Sequence, residues 1–233
     1  MATALITGAG RGIGLATARA FLGAGWRVLA LDREFDAGGP APSDTLVQVR
    51  YDLSELAGIS ALVASLGRID VLVNNAGMQN AVPYDRYTDA MRERILRVNL
   101  EAPVELMRAV AKQMLERHAG RIVNLASIAA WQPHPDLWYG ATKAAIVSVT
   151  KSFASYLGPH GIQVNAVAPG PVDTELLKVV DRARVEGLLK AVYTGRPARP
   201  DEIAQAILWL ASASPPTVNG TILDINDGTY PRS

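Results

Sequence analysis

The first 22 residues constrain the fold more than any other stretch. Ala2 to Thr7 has the length and apolarity of a buried strand closed by glycine. Gly8-Ala9-Gly10-Arg11-Gly12-Ile13-Gly14 follows, and then a helical pattern runs from Leu15 to Leu22. A strand, a glycine-rich turn and a helix in immediate succession open a βαβ unit, the building block of a parallel sheet. The turn also lets the backbone approach a pyrophosphate, whose charge the helix N-terminus stabilises. Its spacing is T-G-x-x-x-G-x-G rather than G-x-G-x-x-G, because position 13 is Ile and position 15 is Leu. A glycine turn used only for tight packing is the alternative.

Trp26 to Leu31 reads as the second strand and ends at Asp32, 18 residues past Gly14. A carboxylate there takes the ribose 2′-hydroxyl of a bound dinucleotide and repels a 2′-phosphate; a turn carboxylate is the plainer alternative. Arg11 and Arg33 could pair with such a phosphate, so NAD is favoured and NADP stays possible. Asp36 to Ser43, with Gly38, Gly39, Pro40 and Pro42, reads as loop. Thr45 to Tyr51 alternates like a strand and meets Asp52-Leu53, where Asp52 either bonds an adenine amine or caps a helix near Ser54. Ile69 to Val73 is a further strand, followed by Asn74-Asn75-Ala76-Gly77. Asparagine amides there supply donors and acceptors, and small residues let a cofactor pass close.

Thr88 to His118 carries one long helical pattern, which Pro103 is expected to kink. Asn99, mid-helix and one turn before the proline, either bonds a carbonyl freed by Pro103 or serves a site. Arg121 to Leu125 is a strand whose C-terminal end leads to Ser127, where open parallel sheets place ligands. A serine there can orient a carbonyl and stabilise charge on its oxygen. Twelve residues on, Tyr139 and Lys143 sit four apart in a helical pattern and so share one face. A phenol with an ordinary pKa of about 10 is a poor proton carrier at neutral pH; a neighbouring ammonium lowers that value and makes the pair a general acid or base. Ile162 to Val167 and Val218 to Ile225 complete about seven strands. The expected fold is a single-domain, Rossmann-type, doubly wound parallel sheet with helices on both faces over residues 1–233, with a small helical lobe at about 173–199 covering the substrate.

Composition removes several function classes. The chain has no cysteine, which excludes disulfides, thiolate catalysis and Cys-ligated zinc and fits a reducing compartment. Its three histidines, His118, His134 and His160, lack ligand spacing, so no metal is expected. A net charge of +1 with both signs scattered gives no footprint for nucleic acid or an acidic membrane. The N-terminus shows no signal peptide and no apolar run is long enough to span a membrane, so a soluble, cytoplasmic protein is expected.

Together these motifs resemble the short-chain dehydrogenase/reductase family over essentially the whole chain and in the family's order. Thr7-Gly8…Gly12…Gly14 is similar to its cofactor loop, Asn74-Asn75-Ala76-Gly77 to its central sheet motif, and Asn99, Ser127, Tyr139 and Lys143 to its catalytic tetrad. Pro169-Gly170 and Thr174 resemble its nicotinamide segment, and Arg199-Pro200-Asp201-Glu202 a late helix start. Two departures stand out: the Ser127–Tyr139 interval is one residue shorter than usual, and Asp227-Gly228-Thr229 stands where a double glycine is common.

The resemblance implies hydride transfer between a nicotinamide and a secondary alcohol or ketone. Tyr139 would exchange the proton, Lys143 would tune it and bond the ribose, Ser127 would fix the carbonyl, and Asn99 would hold a water. Gly8, Arg11, Gly12, Ile13, Gly14, Asp32, Asp52, Leu53, Asn75, Ala76, Gly77, Tyr139, Lys143, Pro169, Gly170, Val172 and Thr174 would hold the cofactor. A dinucleotide sensor of the same fold that has lost turnover is the rival from another class. For the substrate, Met78, Gln79 and Asn80, the stretch Trp131 to Trp138 and the lobe from Thr174 to Tyr193 are the expected walls. Gln132 and His134 could bond a polar group, and the two tryptophans either stack on a ring or pack internally. Six basic against four acidic residues (Asp181 among them) give residues 173–199 a net +2, a faint hint of an anionic substrate. Sugars or polyols, oxoacyl thioesters, hydroxy acids and cyclic ketones all stay open. The Thr88–His118 and Tyr139 helices look too apolar for one-sided surface helices, and a homotetramer (or dimer) built on them is expected.

Overall fold

The central strands are short and apolar on both faces, so the sheet must be covered on both sides. The computed structural model describes residues 1–35, 39–80, 82–178, 180 and 182–231. The expected loop at Asp36–Ser43 has its first three residues outside the described residues, as does Asp181 of the lobe's charge balance. Seven strands form one parallel sheet in the order β3-β2-β1-β4-β5-β6-β7. They are β1 (Thr3–Thr7), β2 (Arg27–Asp32), β3 (Leu46–Arg50), β4 (Val71–Asn74), β5 (Gly120–Leu125), β6 (Ile162–Pro169) and β7 (Ile222–Ile225). The helices are α1 (Gly12–Gly23), α2 (Ile59–Ser65), α3 (Asp89–Leu96), α4 (Ala102–Arg117), α5 (Leu137–Leu157), α6 (Glu175–Lys178), α7 (Arg182–Leu189) and α8 (Pro200–Ser212).

The period of two along the strands sorts the core into two layers. Leu5 pairs in register with Leu29 and Leu72, Leu72 with Ile122, and Ile122 with Val164. This row packs against Leu106, Met107, Val110 and Met114 of α4. The alternate residues, Ala4, Ile6, Val28, Val71, Val73 and Val123, pack against Phe21 of α1 and Ile203, Ile207 and Leu210 of α8. Each large side chain so buried contributes about 1.5–3 kcal/mol relative to exposure.

The kink expected at Pro103 takes another form and lies earlier. The chain widens into a π turn over Arg97–Glu101, and Pro103 falls in the first turn of α4. Proline has no N–H for the carbonyl four residues before it, which is that of Asn99, and its ring would crowd that carbonyl in an α-helix. One extra residue in the turn relieves the conflict, and the Ala102 N–H reaches back to the Arg97 carbonyl instead. The strand order reverses between β1 and β4, and the ends of the strands open there.

Candidate active site

The glycine loop is shaped by contacts that only glycine permits. Gly8 has a φ of 64°, and a Cβ on it would lie 2.8 Å from the Ala76 Cα. A Cβ on Gly14 would lie 1.9 Å from the Gly8 carbonyl oxygen, so Gly14 serves packing beneath the loop and does not line the cleft. The Thr7 hydroxyl accepts the N–H groups of Asn75 and Ala76, each at 3.0 Å. The Asn75 amide returns bonds to the carbonyls of Thr7 and Gly8 at 2.8 and 3.1 Å. The doubled asparagine therefore divides its work. Asn75 staples the glycine loop to the end of β4, whereas Asn74 is buried and donates to Asn124, which donates to Thr150 of α5.

α1 starts beneath this loop with no side-chain cap and no acidic residue in its first turn, which leaves its first N–H groups and dipole facing outward. Asp32 lies across from them at the end of β2. One of its oxygens accepts the Gly10 N–H at 2.8 Å, and the other accepts the N–H groups of Arg33 and Glu34 at 2.7 and 3.3 Å. Uncapped helix end, carboxylate and close-packed glycines suit the phosphates and adenosine ribose of a dinucleotide. Asp52 is used differently. It accepts from the backbone and hydroxyl of Ser54 and pairs with Arg94 at 3.2 Å, and it does not line the cleft, whereas Leu53 and Arg94 do. In place of the helix cap expected near Ser54, Asp52 caps a turn there, and the chain then makes one short helical turn at Leu56–Gly58, without a side-chain cap, before α2.

The cleft has a volume of about 550 Å³, within the range for small-molecule sites. Gly8, Arg11, Gly12, Ile13, Asp32, Leu53, Asn75, Ala76 and Gly77 line it on one side of the switch point. Ser127, Tyr139, Lys143, Pro169, Gly170, Val172 and Thr174 line it on the other. Arg33, Arg94, Val98 and the lobe residues Leu176, Leu177, Val180, Arg184 and Leu188 also border it. Of the residues expected against the substrate, Met78, Gln79, Gln132, Pro133 and His134 do so, and Asn80 does not. Trp131 and Trp138 do not: Trp131 stacks on Tyr230 at 6.5 Å, and Trp138 packs with Ile95 and Ala129.

The four polar side chains singled out in the sequence converge at the C-terminal end of β5. Ser127 follows β5 by two residues in extended backbone, and its hydroxyl accepts the Ala129 N–H at 3.1 Å and stabilises the ionised form of the Tyr139 phenol. The Lys143 ammonium donates to the Leu125 carbonyl at 2.6 Å and lies 5.6 Å from the Tyr139 ring centroid. Asn99 is fully engaged. Its carbonyl accepts the Met78 N–H at 2.9 Å, and its amide donates to the Met78 carbonyl at 2.8 Å and to the Thr142 hydroxyl at 3.3 Å. The carbonyl that Asn99 bonds is thus that of Met78, not one freed by Pro103.

The electrostatics differ in direction from what the Tyr–Lys spacing suggests. Burial pushes the Tyr139 phenol above its ordinary value; the Ser127 hydrogen bond pulls it back, and the Asp136 charge adds to the rise. Burial likewise pushes Lys143 down to about 8. Both groups sit where water cannot solvate their charged forms, and burial is the largest influence on each. Asp136 is the residue that sequence reasoning missed. It is 2% exposed, and it caps α5 by accepting the N–H groups of Trp138 and Tyr139 at 3.1 and 3.0 Å. Its second oxygen accepts the Asn80 N–H, tying the loop after β4 to the start of α5. An Asp two residues before an aromatic-rich helical run is a recognisable cap signal.

Comparison with known proteins agrees with this geometry. A family model described as short chain dehydrogenase matches residues 2–184. The chain is 39% identical to a galactitol 2-dehydrogenase of Agrobacterium fabrum, covering 97% of this chain and 96% of that protein. It is 38% identical to a D-threitol dehydrogenase of Mycolicibacterium smegmatis, covering 97% and 91%. A gluconate 5-dehydrogenase from Burkholderia cenocepacia, solved with NADP and tartrate, superposes with a TM-score of 0.88 at 35% identity, covering 98% and 94%. The chain belongs to the short-chain dehydrogenase/reductase family and is an NAD(P)-dependent oxidoreductase of alcohols and ketones.

Proposed function

We propose that this enzyme interconverts a secondary alcohol and a ketone and uses NAD in preference to NADP. The observation that carries the cofactor preference is Asp32, whose carboxylate borders the cleft and is fixed by three backbone N–H groups. A ribose hydroxyl can donate to that carboxylate, whereas a 2′-phosphate would meet a like charge. Arg11 and Arg33 border the same region and oppose the preference, and a solved relative holds NADP, so Asp32 decides the outcome. Cytoplasmic residence fits a chain without cysteine.

In this reading residues 1–233 act as one dinucleotide-binding domain whose lobe at 173–199 covers the substrate. Gly8 to Gly14 and the start of α1 hold the phosphates, while Pro169, Gly170, Val172 and Thr174 orient the nicotinamide. When bound, the nicotinamide supplies the hydride. Ser127 orients the substrate oxygen. Tyr139, a phenol protonated at neutral pH and made a weaker acid still by burial, donates its phenolic proton to that oxygen during ketone reduction. Lys143 holds positive charge beside the phenolate that this leaves, lowering its energy.

The test is nicotinamide absorbance over a panel of alcohols and ketones, each with NAD and NADP couples, for wild type, Tyr139→Phe and Asp32→Ala. Turnover favouring NAD, lost in Tyr139→Phe with cofactor affinity retained, is expected, and Asp32→Ala narrows the preference at least about tenfold, the scale of one charge-assisted contact. Equal rates in Tyr139→Phe overturn the assigned role, and a preference unchanged in Asp32→Ala overturns the ribose contact. Silence across the panel despite cofactor binding favours the sensor.

A further inference from the structure

One side chain of the cleft has no part in the scheme above. His134 borders the cleft, and its ring centroid lies 4.8 Å from that of Tyr139, with the planes tilted by 40°. Groups on the two rings can therefore touch one small molecule at once. The Nδ1 edge is held by the Asp136 backbone, 3.2 Å from its N–H nitrogen and 3.1 Å from its carbonyl oxygen. Asp136 itself caps the helix of Tyr139, so the imidazole is fixed relative to the phenol. With Nδ1 against Asp136, the Nε2 edge is the one that a molecule in the cleft can meet.

Burial is the largest influence on this ring and lowers its pKa, so the imidazole is neutral at neutral pH. A neutral imidazole carries one proton, on either nitrogen. The Asp136 backbone offers Nδ1 both a donor and an acceptor, so it tolerates either tautomer. A hydroxyl also meets either tautomer at Nε2, because it donates or accepts; a keto or thioester oxygen only accepts. Two further polar groups border the same space. The amide N–H groups of Gln79 and Gln132 are directed to the carbonyls of Leu176 and Thr229, at 2.9 and 3.2 Å. Their side-chain carbonyls are acceptors suited to more hydroxyls.

We propose that His134 is a specificity-determining residue that engages a hydroxyl on the carbon next to the reacting one, so that the substrates are α-hydroxy ketones and the products vicinal diols. This rests on the alcohol–ketone reading above. In the reduction, the carbonyl carbon takes a hydride from reduced nicotinamide and the carbonyl oxygen takes the Tyr139 proton. The C=O π bond is replaced by a C–H and an O–H bond, the nicotinamide is oxidised, and the hydroxyl at His134 is unchanged.

The test is kcat/KM for hydroxyacetone and acetone with reduced cofactor, in wild type, His134→Ala and His134→Gln. A parallel titration of the cofactor-loaded proteins with hydroxyacetone, read by nicotinamide fluorescence, measures binding alone. The expected result is a hydroxyacetone-to-acetone ratio that falls about tenfold or more in His134→Ala, the scale of one buried hydrogen bond. His134→Gln, which still donates and accepts, should recover part of it. General structural damage would slow both ketones alike and leave the ratio in place. An unchanged ratio, or equal hydroxyacetone binding by wild type and His134→Ala, overturns the role of His134. Tighter binding by wild type without turnover of any alcohol or ketone leaves that contact standing and overturns the oxidoreductase reading instead.

Discussion

Lys143 is 4% exposed and has one hydrogen bond to a backbone carbonyl, so the folded chain carries a charge that its unfolded form would keep in water. Its folded pKa of about 8 lies below the free value of 10.5. The penalty is therefore present in full below pH 8, and it is relieved between these two values, where the folded chain has shed the proton and the unfolded chain has not. Lys143→Met should be inactive yet more stable than wild type at pH 7, by about 3 kcal/mol or less. The advantage should fade as pH rises from 8 toward 10.5. Urea unfolding of both cofactor-free proteins at pH 7 and pH 10 checks this. Equal stability at pH 7, or a gap that persists at pH 10, would refute it. At this scale the side chains that border the cleft were legible only in combination, since neither the Tyr139–Lys143 spacing nor the position of Ser127 after a strand marks chemistry alone. The directions of the proton affinities were not. Burial of Tyr139 and Lys143 is produced jointly by β5, α5 and the loop after β4, and spacing along one helix carries no record of it.

At the scale of elements, α5 matters most, because its first turn carries the phenol. Asp136 supplies that turn with a cap on two N–H groups and joins it to the loop after β4 through Asn80. Asp136→Ala should lower stability by about 1–3 kcal/mol, combining a lost cap with an unmet buried donor. Asp136→Asn keeps an oxygen at the cap and should lose less. Thermal melts of both variants measure this, and an Ala variant as stable as wild type would show that the cap is dispensable. The strands were legible because buried parallel strands are short apolar runs between turn residues, as in β1 and β4. The junction of α3 and α4 was only half legible. Ile95, Val98, Ala102 and Leu106 keep a helical period across it, and a π turn inserts just one residue, which such a pattern absorbs. Pro103 announced a disturbance, but the chain places it a turn earlier, at Arg97–Glu101, where Asn99 is drawn onto Met78.

For the whole molecule, the two-layer sorting of strand residues and the reversal of strand order between β1 and β4 bring the glycine loop, Ser127, Tyr139 and Lys143 together at the C-terminal ends of the strands. At this scale the prediction concerns what covers α5. The expectation that both long helices are too apolar to face water fits α5 better than α4. In α4 the apolar side chains Leu106, Met107, Val110 and Met114 are fully buried within the chain, and its outer side carries Glu105, Arg108, Lys112 and Glu116. In α5, Ala145, Val149 and Phe153 recur at helical spacing and are only half-buried, the latter two packed in part against the core, and the row ends at Tyr156, which is 75% exposed. A stripe of that kind is covered at low cost by its own copy, because a two-fold axis brings identical apolar residues together. We therefore expect a homotetramer, or at least a dimer, with α5 against α5. Light scattering at micromolar concentration should give a multiple of the 24.8 kDa chain mass, four-fold for the tetramer. Tyr156→Glu with Phe153→Glu, which would force carboxylates against each other across the axis, should shift the mass toward single chains while the fold persists by circular dichroism. A wild-type monomer would refute the assembly. An oligomer indifferent to both substitutions would move the interface away from α5, to a surface that the apolar pattern of these helices does not mark.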